Sequence, residues 1–156
     1  IKSEDEWEPI PGSLEAIALL TANDIEVYIA TNQAGVARGK LTLDALKGIH
    51  KKLLHEVKKT GGRIVDIKYC PHHPEEKCWC RKPNPGLLED IATTHGLSLK
   101  NGCYVGDSLK DLKAAESAGC PGVLVLTGNG IETRKSSPHD VPIFSDLLAF
   151  AKDITS

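Results

Sequence analysis

Short apolar runs alternate along the chain with longer stretches in which apolar residues recur at helical spacing. Residues 25–30 are nearly all apolar and rich in β-branched side chains, which predicts a buried parallel strand. Similar runs at 63–69, 103–105 and 122–126 predict three further strands, and 142–144 predicts a weak one. Strands and helices therefore alternate, which indicates an α/β fold built on a doubly wound parallel sheet.

The helical stretches carry recognisable start and stop signals. Ser13 and Thr42 are the predicted N-terminal caps of the first two helices, and Ser145 is the predicted cap of the last one. Pro85 is expected to begin a helix, since proline fits the first turn. Glycine closes three of the predicted helices, at Gly61, Gly96 and Gly119, and the helix before Gly119 is predicted to span Leu109–Ala118.

Length and charge limit the possible functions. The 156 residues suit a single domain, 1–156, with one substantial core. The formal net charge of −2, with both signs dispersed, indicates no nucleic-acid or membrane partner, so a small molecule is expected. No apolar run approaches the roughly 18 residues that span a bilayer, and no secretory leader is recognisable. A soluble, cytoplasmic protein is predicted.

Residues 70–80 contain three of the five cysteines and two of the six histidines. Thiolate sulfur and imidazole nitrogen are the ligands of a closed tetrahedral zinc site, and the loop offers a Cys3His set. That set consists of Cys70, Cys78, Cys80 and one of His72 and His73. The alternative is a disulfide within the loop. We expect the remaining cysteines, 103 and 120, to be buried thiols, and the absence of a leader favours zinc.

Four further residues are candidates for phosphate chemistry. Arg81 and Lys82 directly follow the cysteine loop, and they gain significance only if that loop positions them, since a basic pair is ordinarily solvated. Thr31 and Asp107 end predicted strands, where ligands bind in open parallel sheets. Both have a structural alternative as a helix or turn cap. Asp111 either supports Asp107 or faces solvent.

Three motifs, in this order, resemble those of the haloacid dehalogenase (HAD) phosphatases. They are residues 31–39 (TNQAGVARG), the run from Cys70 to Pro83 that ends in Cys-x-Cys-Arg-Lys-Pro, and residues 105–111 (VGDSxxD). Within that family they are most similar to the heptose bisphosphate phosphatases, with the histidinol-phosphate phosphatases next. The resemblance implies a HAD-like Rossmannoid three-layer sandwich, structural zinc on Cys70, His72, Cys78 and Cys80, and a catalytic Mg²⁺ held by Asp107.

The same resemblance implies a function and a set of contacts. The expected reaction removes the 7-phosphate from a heptose 1,7-bisphosphate through an aspartyl phosphate, in the synthesis of lipopolysaccharide core precursors. Histidinol phosphate is the alternative substrate, and a catalytically inactive zinc-bearing module is the alternative class. Arg38 favours the sugar bisphosphate. Thr31 and Lys82 would be catalytic, and the expected substrate contacts are Thr31, Asn32, Gln33, Ala34, Arg81, Lys82 and Ser108.

One departure from the family pattern is large. HAD phosphatases open with a strand that ends in Asp-x-Asp, which supplies the nucleophile and the acid-base group, and no aspartate of this sequence has another two positions later. We therefore expect an amino-terminally incomplete domain that is inactive alone, with the complete protein a monomer. In the family's fold, that strand lies between the strand ending at Thr31 and the one ending at Asp107.

Overall fold

The computed structural model of the protein describes residues 12–32, 42–72, 78–136 and 141–156. Within these ranges five strands form two parallel sheets. The first sheet pairs β1 (Val27–Asn32) with β2 (Ile64–Cys70). The second has the order β3 (Tyr104–Gly106), β4 (Gly122–Val125) and β5 (Ile143–Phe144).

Helices connect and cover these strands. The described α-helices are α1 (Ser13–Ala22), α2 (Leu43–Lys59), α3 (Gly86–His95), α4 (Leu109–Ala118), α5 (Gly130–Ser136) and α6 (Leu147–Thr155). The predicted α/β fold with parallel strands is confirmed, and the predicted bounds of α4 agree with the structure at both ends. Helix α5 was not predicted. In the described part of the chain, every helix is too short or too polar to cross a membrane.

Successive side chains of β1 point to opposite faces of the sheet, and helices cover both faces. Tyr28 and Ala30 pack against the cluster that α3 and α4 contribute to. Val27 and Ile29 pack against the cluster that contains Ile17 of α1 and residues of α2 and β2. The sheet is therefore the middle of three layers. The core on the α3 side contains eight buried residues: Ala30, Cys70, Leu87, Leu88, Ile91, Ala114, Ala115 and Cys120.

One of the three predicted serine and threonine caps is confirmed, and two are wrong. The hydroxyl of Thr42 accepts a hydrogen bond from Ala45 N at 3.0 Å. Ser13 is instead the first helical residue, because the chain enters α1 through Gly12, whose φ of 86° suits glycine. Ser145 lies outside α6, whose cap is the neighbouring Asp146 with a 2.7 Å bond from Ala149 N.

The two sheets meet at β1 and β3 without a backbone ladder. Among the described residues, neither strand pairs with the other. They are linked instead by side chains, since the Tyr104 hydroxyl donates to the carbonyl of Ala30 at 2.9 Å and Lys82 Nζ donates to the same carbonyl at 3.4 Å. The parallel sheet is therefore divided at the position where the resemblance places the absent Asp-x-Asp strand.

Candidate functional site

The four predicted zinc ligands converge at the end of β2. The Cys70 sulfur lies 3.3 Å from the Cys78 sulfur and 3.4 Å from His72 Nδ1. The Cys80 sulfur lies 3.3 Å from the same imidazole nitrogen and 3.6 Å from the Cys78 sulfur. All four donor atoms are within 4.8 Å of one another. A tetrahedral site with Zn–S bonds of ~2.3 Å has edges of roughly 3.8 Å, so the donor set fits zinc.

The three thiols differ in how readily they ionise. Burial raises the pKa of Cys70, and burial together with the neighbouring thiols raises the pKa of Cys80 to about 12. Burial opposes ionisation of Cys78 as well, but hydrogen bonds from the Cys70 and Cys80 thiols and from a backbone N–H outweigh it and lower the pKa to about 7. Without a cation, negative charge is thus confined largely to one sulfur.

The other cysteines differ from each other and from expectation. Cys120 is a buried thiol, as predicted, but Cys103 is exposed. Cys103 directly precedes the short strand β3, and its exposure is a property of the tertiary fold that its apolar neighbours in sequence did not reveal. All five cysteines are free thiols, which is contrary to the disulfide alternative.

The loop that leaves the cysteine cluster carries Lys82 into the space between the two sheets. Its ammonium lies 2.5 Å from an Asp111 carboxylate oxygen and 3.0 Å from the Tyr104 hydroxyl. Burial opposes the charged form, but the phenol of Tyr104 and the carboxylate of Asp111 outweigh it, and the pKa of Lys82 is raised. A buried cation is thus fixed at the carboxyl ends of β1 and β3.

Asn32, at the end of β1, holds the backbone of this loop. Its side-chain oxygen accepts from Lys82 N at 3.0 Å, and its side-chain nitrogen donates to the Lys82 carbonyl at 3.4 Å. Farther along, Asn84 donates to the carbonyl of Cys78 at 2.8 Å. The amide of Asn32, expected from the resemblance to contact substrate, is thus engaged by the backbone of Lys82 and positions that residue.

Arg81 has a different environment. Its Nη1 atom is buried and has no hydrogen-bond partner among the described residues. A buried, unpaired guanidinium nitrogen is costly, and an anionic ligand removes that cost. Thr31 occupies the penultimate position of β1, and its hydroxyl donates to the Asn32 carbonyl at 3.4 Å.

Asp107 follows β3 and is held by the segment that leads into α5. One carboxylate oxygen accepts from Asn129 N at 3.0 Å, and a Cβ at Gly128 would collide with that oxygen. The buried hydroxyl of Thr133 donates to the Asp107 carbonyl at 2.7 Å. Sequence reasoning missed this support, because α5 is short and polar and gave no periodic signal.

Ser108, and not Asp107, caps helix α4. Its hydroxyl accepts from Asp111 N at 3.3 Å, and Asp111 accepts from the backbone N–H groups of Asp107 and Ser108, each at 3.2 Å. The expectation that Asp111 could face solvent is wrong, since it is only 5% exposed. Burial opposes its ionisation, but the Lys82 ammonium outweighs that effect and lowers the pKa of Asp111. Gln33, Ala34, Arg38 and His73 lie outside the described residues.

Comparison with known proteins agrees with this geometry. A HAD-hydrolase-like family model matches residues 79–149. A D-glycero-beta-D-manno-heptose-1,7-bisphosphate 7-phosphatase from Pseudomonas aeruginosa is 47% identical over 97% of this chain and 85% of its own length. The chain belongs to the HAD-like phosphatase family. The family resemblance inferred from the three sequence motifs is thereby confirmed.

Solved structures of HAD-like phosphatases have the same fold. A D,D-heptose 1,7-bisphosphate phosphatase from Bordetella bronchiseptica, complexed with magnesium and phosphate, superposes with a TM-score of 0.95 at 45% identity, covering 99% of this chain and 87% of that one. The corresponding phosphatase from Burkholderia thailandensis gives 0.79 at 35% identity, covering 98% and 90%. The HAD-like three-layer fold predicted from the motifs is confirmed.

Proposed function

We propose that this protein removes the 7-phosphate from D-glycero-D-manno-heptose 1,7-bisphosphate. We further propose that residues 1–156 belong to a single catalytic domain that works as a cytoplasmic monomer. The observation that carries the proposal is the buried ammonium of Lys82, which is fixed by Asp111 and Tyr104 where the strand ends meet. The high identity to phosphatases of this substrate supports the choice of sugar.

Each described residue has a role that follows from its surroundings. Lys82 stabilises the charge that develops on the transferred phosphoryl group. Asn32 holds the Lys82 backbone beside the end of β1. Thr31 offers its hydroxyl to the same phosphate. Arg81 binds the second phosphate of the bisphosphate, which is supported by its buried, unpaired Nη1. A monophosphate such as histidinol phosphate would leave that nitrogen without a partner.

Two metal ions are proposed. Zinc on Cys70, His72, Cys78 and Cys80 cross-links the loop from which Arg81 and Lys82 project. Magnesium, when bound, neutralises charge on the reacting phosphate, and Asp107 would contribute one hard oxygen to it. Asp107 fits this role because Asn129 N occupies one carboxylate oxygen and orients the other. Ser108 adjoins Asp107 and therefore lies beside the proposed phosphate, although its hydroxyl caps helix α4.

The nucleophile is not among the 156 residues, since no Asp-x-Asp occurs in them. We propose that a strand ending in Asp-x-Asp fits between β1 and β3, where the backbone edges of both strands are unpaired with each other. The inserted strand would displace the Tyr104 and Lys82 bonds to the Ala30 carbonyl and bring a carboxylate beside Lys82.

The test fuses an extension of roughly 20 residues, one strand and its loop, ahead of Ile1, with the strand ending in Asp-x-Asp. Mg²⁺-dependent phosphate release is measured on heptose 1,7-bisphosphate and on histidinol phosphate. We expect the fused chain to prefer the bisphosphate and the unfused chain to release nothing. An equal rate from both chains would refute the proposed nucleophile, and a preference for histidinol phosphate would refute the substrate.

Variants of the fused chain separate the two basic residues. Lys82→Ala should lower kcat about 100-fold, because it removes charge that acts on the transition state. Arg81→Ala should mainly raise KM, about tenfold, because it removes a contact to the distant phosphate. Lys100→Ala, at an exposed position, is the matched control. Equal losses of kcat alone for both residues would contradict this division.

A further inference from the structure

A groove of about 470 Å³ lies beside the zinc loop, between β2 and α3, and takes no part in the proposed phosphate chemistry. We call it the Trp79 groove. The lining residues that matter here are Lys68, Trp79, Gly86, Glu89, Asp90 and Thr93. The ammonium of Lys82 faces Ala30, Tyr104 and Asp111, none of which lines the groove. The groove therefore lies apart from the Lys82 ammonium, although it shares Cys80 with the zinc cluster, and its volume suits a small organic molecule.

Trp79 forms one wall and is held in a fixed position. It is 62% exposed, more than any other large hydrophobic residue in the described ranges. The indole lies directly on the start of α3, where a Cβ at Gly86 would come within 2.7 Å of Trp79 Cδ1. Gly86 N also donates to the Trp79 carbonyl at 3.2 Å. An exposed indole that is anchored on both its ring and its backbone is a preformed binding surface.

The α3 side of the groove is acidic. Gly86, Glu89, Asp90 and Thr93 recur at intervals of three and four residues, so they share one face of α3. Lys68 Nζ pairs with Asp90 at 3.5 Å, which neutralises that carboxylate. Glu89 is half-buried and has no basic partner among the described side chains. Within the described ranges, the groove therefore carries one carboxylate that no basic side chain neutralises, beside an aromatic wall.

We propose that the Trp79 groove binds an organic cation, an ammonium or guanidinium group on a short apolar body. The indole of Trp79 packs against the body and attracts the cation through its ring face, while the carboxylate of Glu89 accepts hydrogen bonds from the charged group. The ammonium of Lys68 pairs with Asp90 and, at 3.7 Å, with Asp66. It therefore repels a bound organic cation less than an unpaired lysine would. An anion is disfavoured by Glu89.

The chain offers a direct reporter for this binding. It contains two tryptophans, so Trp7→Phe leaves Trp79 as the sole source of indole fluorescence. The zinc-loaded variant is titrated at low ionic strength with pentylammonium, 1-pentanol and pentanoate, three probes of similar size that differ in charge. We expect a saturable change in emission with pentylammonium alone, weakened by added salt.

Glu89→Gln in the same background should weaken pentylammonium binding about fivefold, as loss of one partly exposed charge pair predicts. Glu116→Gln, an exposed carboxylate on α4, is the matched control and should leave binding unchanged. Zinc content is measured for every variant, so that loss of the loop is recognised. An equal response to all three probes, no saturable response, or unaltered binding by Glu89→Gln would each overturn the proposal. Neither phosphate release nor the Asp-x-Asp strand enters this test.

Discussion

The ammonium of Lys82 lies 2.5 Å from a carboxylate oxygen of Asp111, and the two side chains are only 13% and 7% exposed. The partners come from different elements, the loop after β2 and the first turn of α4. The pair therefore ties the zinc loop to the half of the molecule that contains β3. The backbone N–H groups of Asp107 and Ser108 occupy the other oxygen of Asp111.

Asp111→Asn should lower the free energy of unfolding by about 3 kcal/mol at pH 7, because it leaves a buried ammonium without a counter-charge. The pKa of Asp111 is lowered in the folded state, so its stabilising effect is present above the ordinary carboxyl pKa and is lost as pH falls through the lowered value. The pKa of Lys82 is raised, so its effect is present below the ordinary amine pKa and is lost only as pH rises through the raised value. Urea unfolding of the wild type and the variant at a series of pH values measures both effects on the free energy of unfolding.

The difference between wild type and Asp111→Asn should therefore be smaller at pH 3 than at pH 7. Asp153→Asn, at an exposed position of α6, is the control and should change stability little at either pH. A difference that stays constant across this range would show that the ion pair is not the source of the effect.

The zinc site predicts a stoichiometry. The chain should hold about one zinc per molecule, and Cys78→Ser should release it, since a closed structural site needs all four ligands. Cys103→Ser is the matched control, because Cys103 is exposed and outside the cluster. Elemental analysis after desalting checks both. Metal-replete protein without zinc, or equal zinc loss in the two variants, would contradict the assignment.

Thr133 should influence magnesium through Asp107. In the chain fused to the Asp-x-Asp strand, Thr133→Val removes the hydroxyl that donates to the Asp107 carbonyl. We expect the Mg²⁺ concentration for half-maximal activity to rise about tenfold, as is common for groups that orient a metal ligand. Thr133→Ser keeps the hydroxyl and should restore the wild-type requirement. An unchanged requirement in Thr133→Val would separate α5 from the metal site.

Much of the fold could be predicted from patterns among residues close together in sequence. The apolar stripe of α2 with its Thr42 cap, and the bounds of α4, could be predicted because both depend on residues within a few positions of one another. The wrong caps arose where two adjacent residues both suit the helix entrance. Capping preference does not distinguish Ser145 from Asp146, and it did not anticipate entry through Gly12.

The candidate site likewise has features that the sequence predicts and features that it does not. The convergence of the four proposed zinc ligands could be predicted because their chemistry is specific and they lie close in sequence. Three other features could not be predicted: the burial of Asp111, the hydrogen bonds of Asn32 to the Lys82 backbone, and the contact of Thr133 with Asp107. Each joins residues far apart in sequence or depends on a neighbouring element, and neither composition nor periodicity contains that information.

The zinc cluster also has a bearing on the order in which the chain acquires structure. All four of its ligands fall within residues 70–80, so bringing them together closes only a short loop and costs little chain entropy. The two sheets, in contrast, come together through partners many residues apart, such as Ala30 and Tyr104. In a nascent chain the proposed zinc ion can therefore bind before the second sheet forms, and the bound ion then positions Lys82 to anchor the half of the molecule that contains β3.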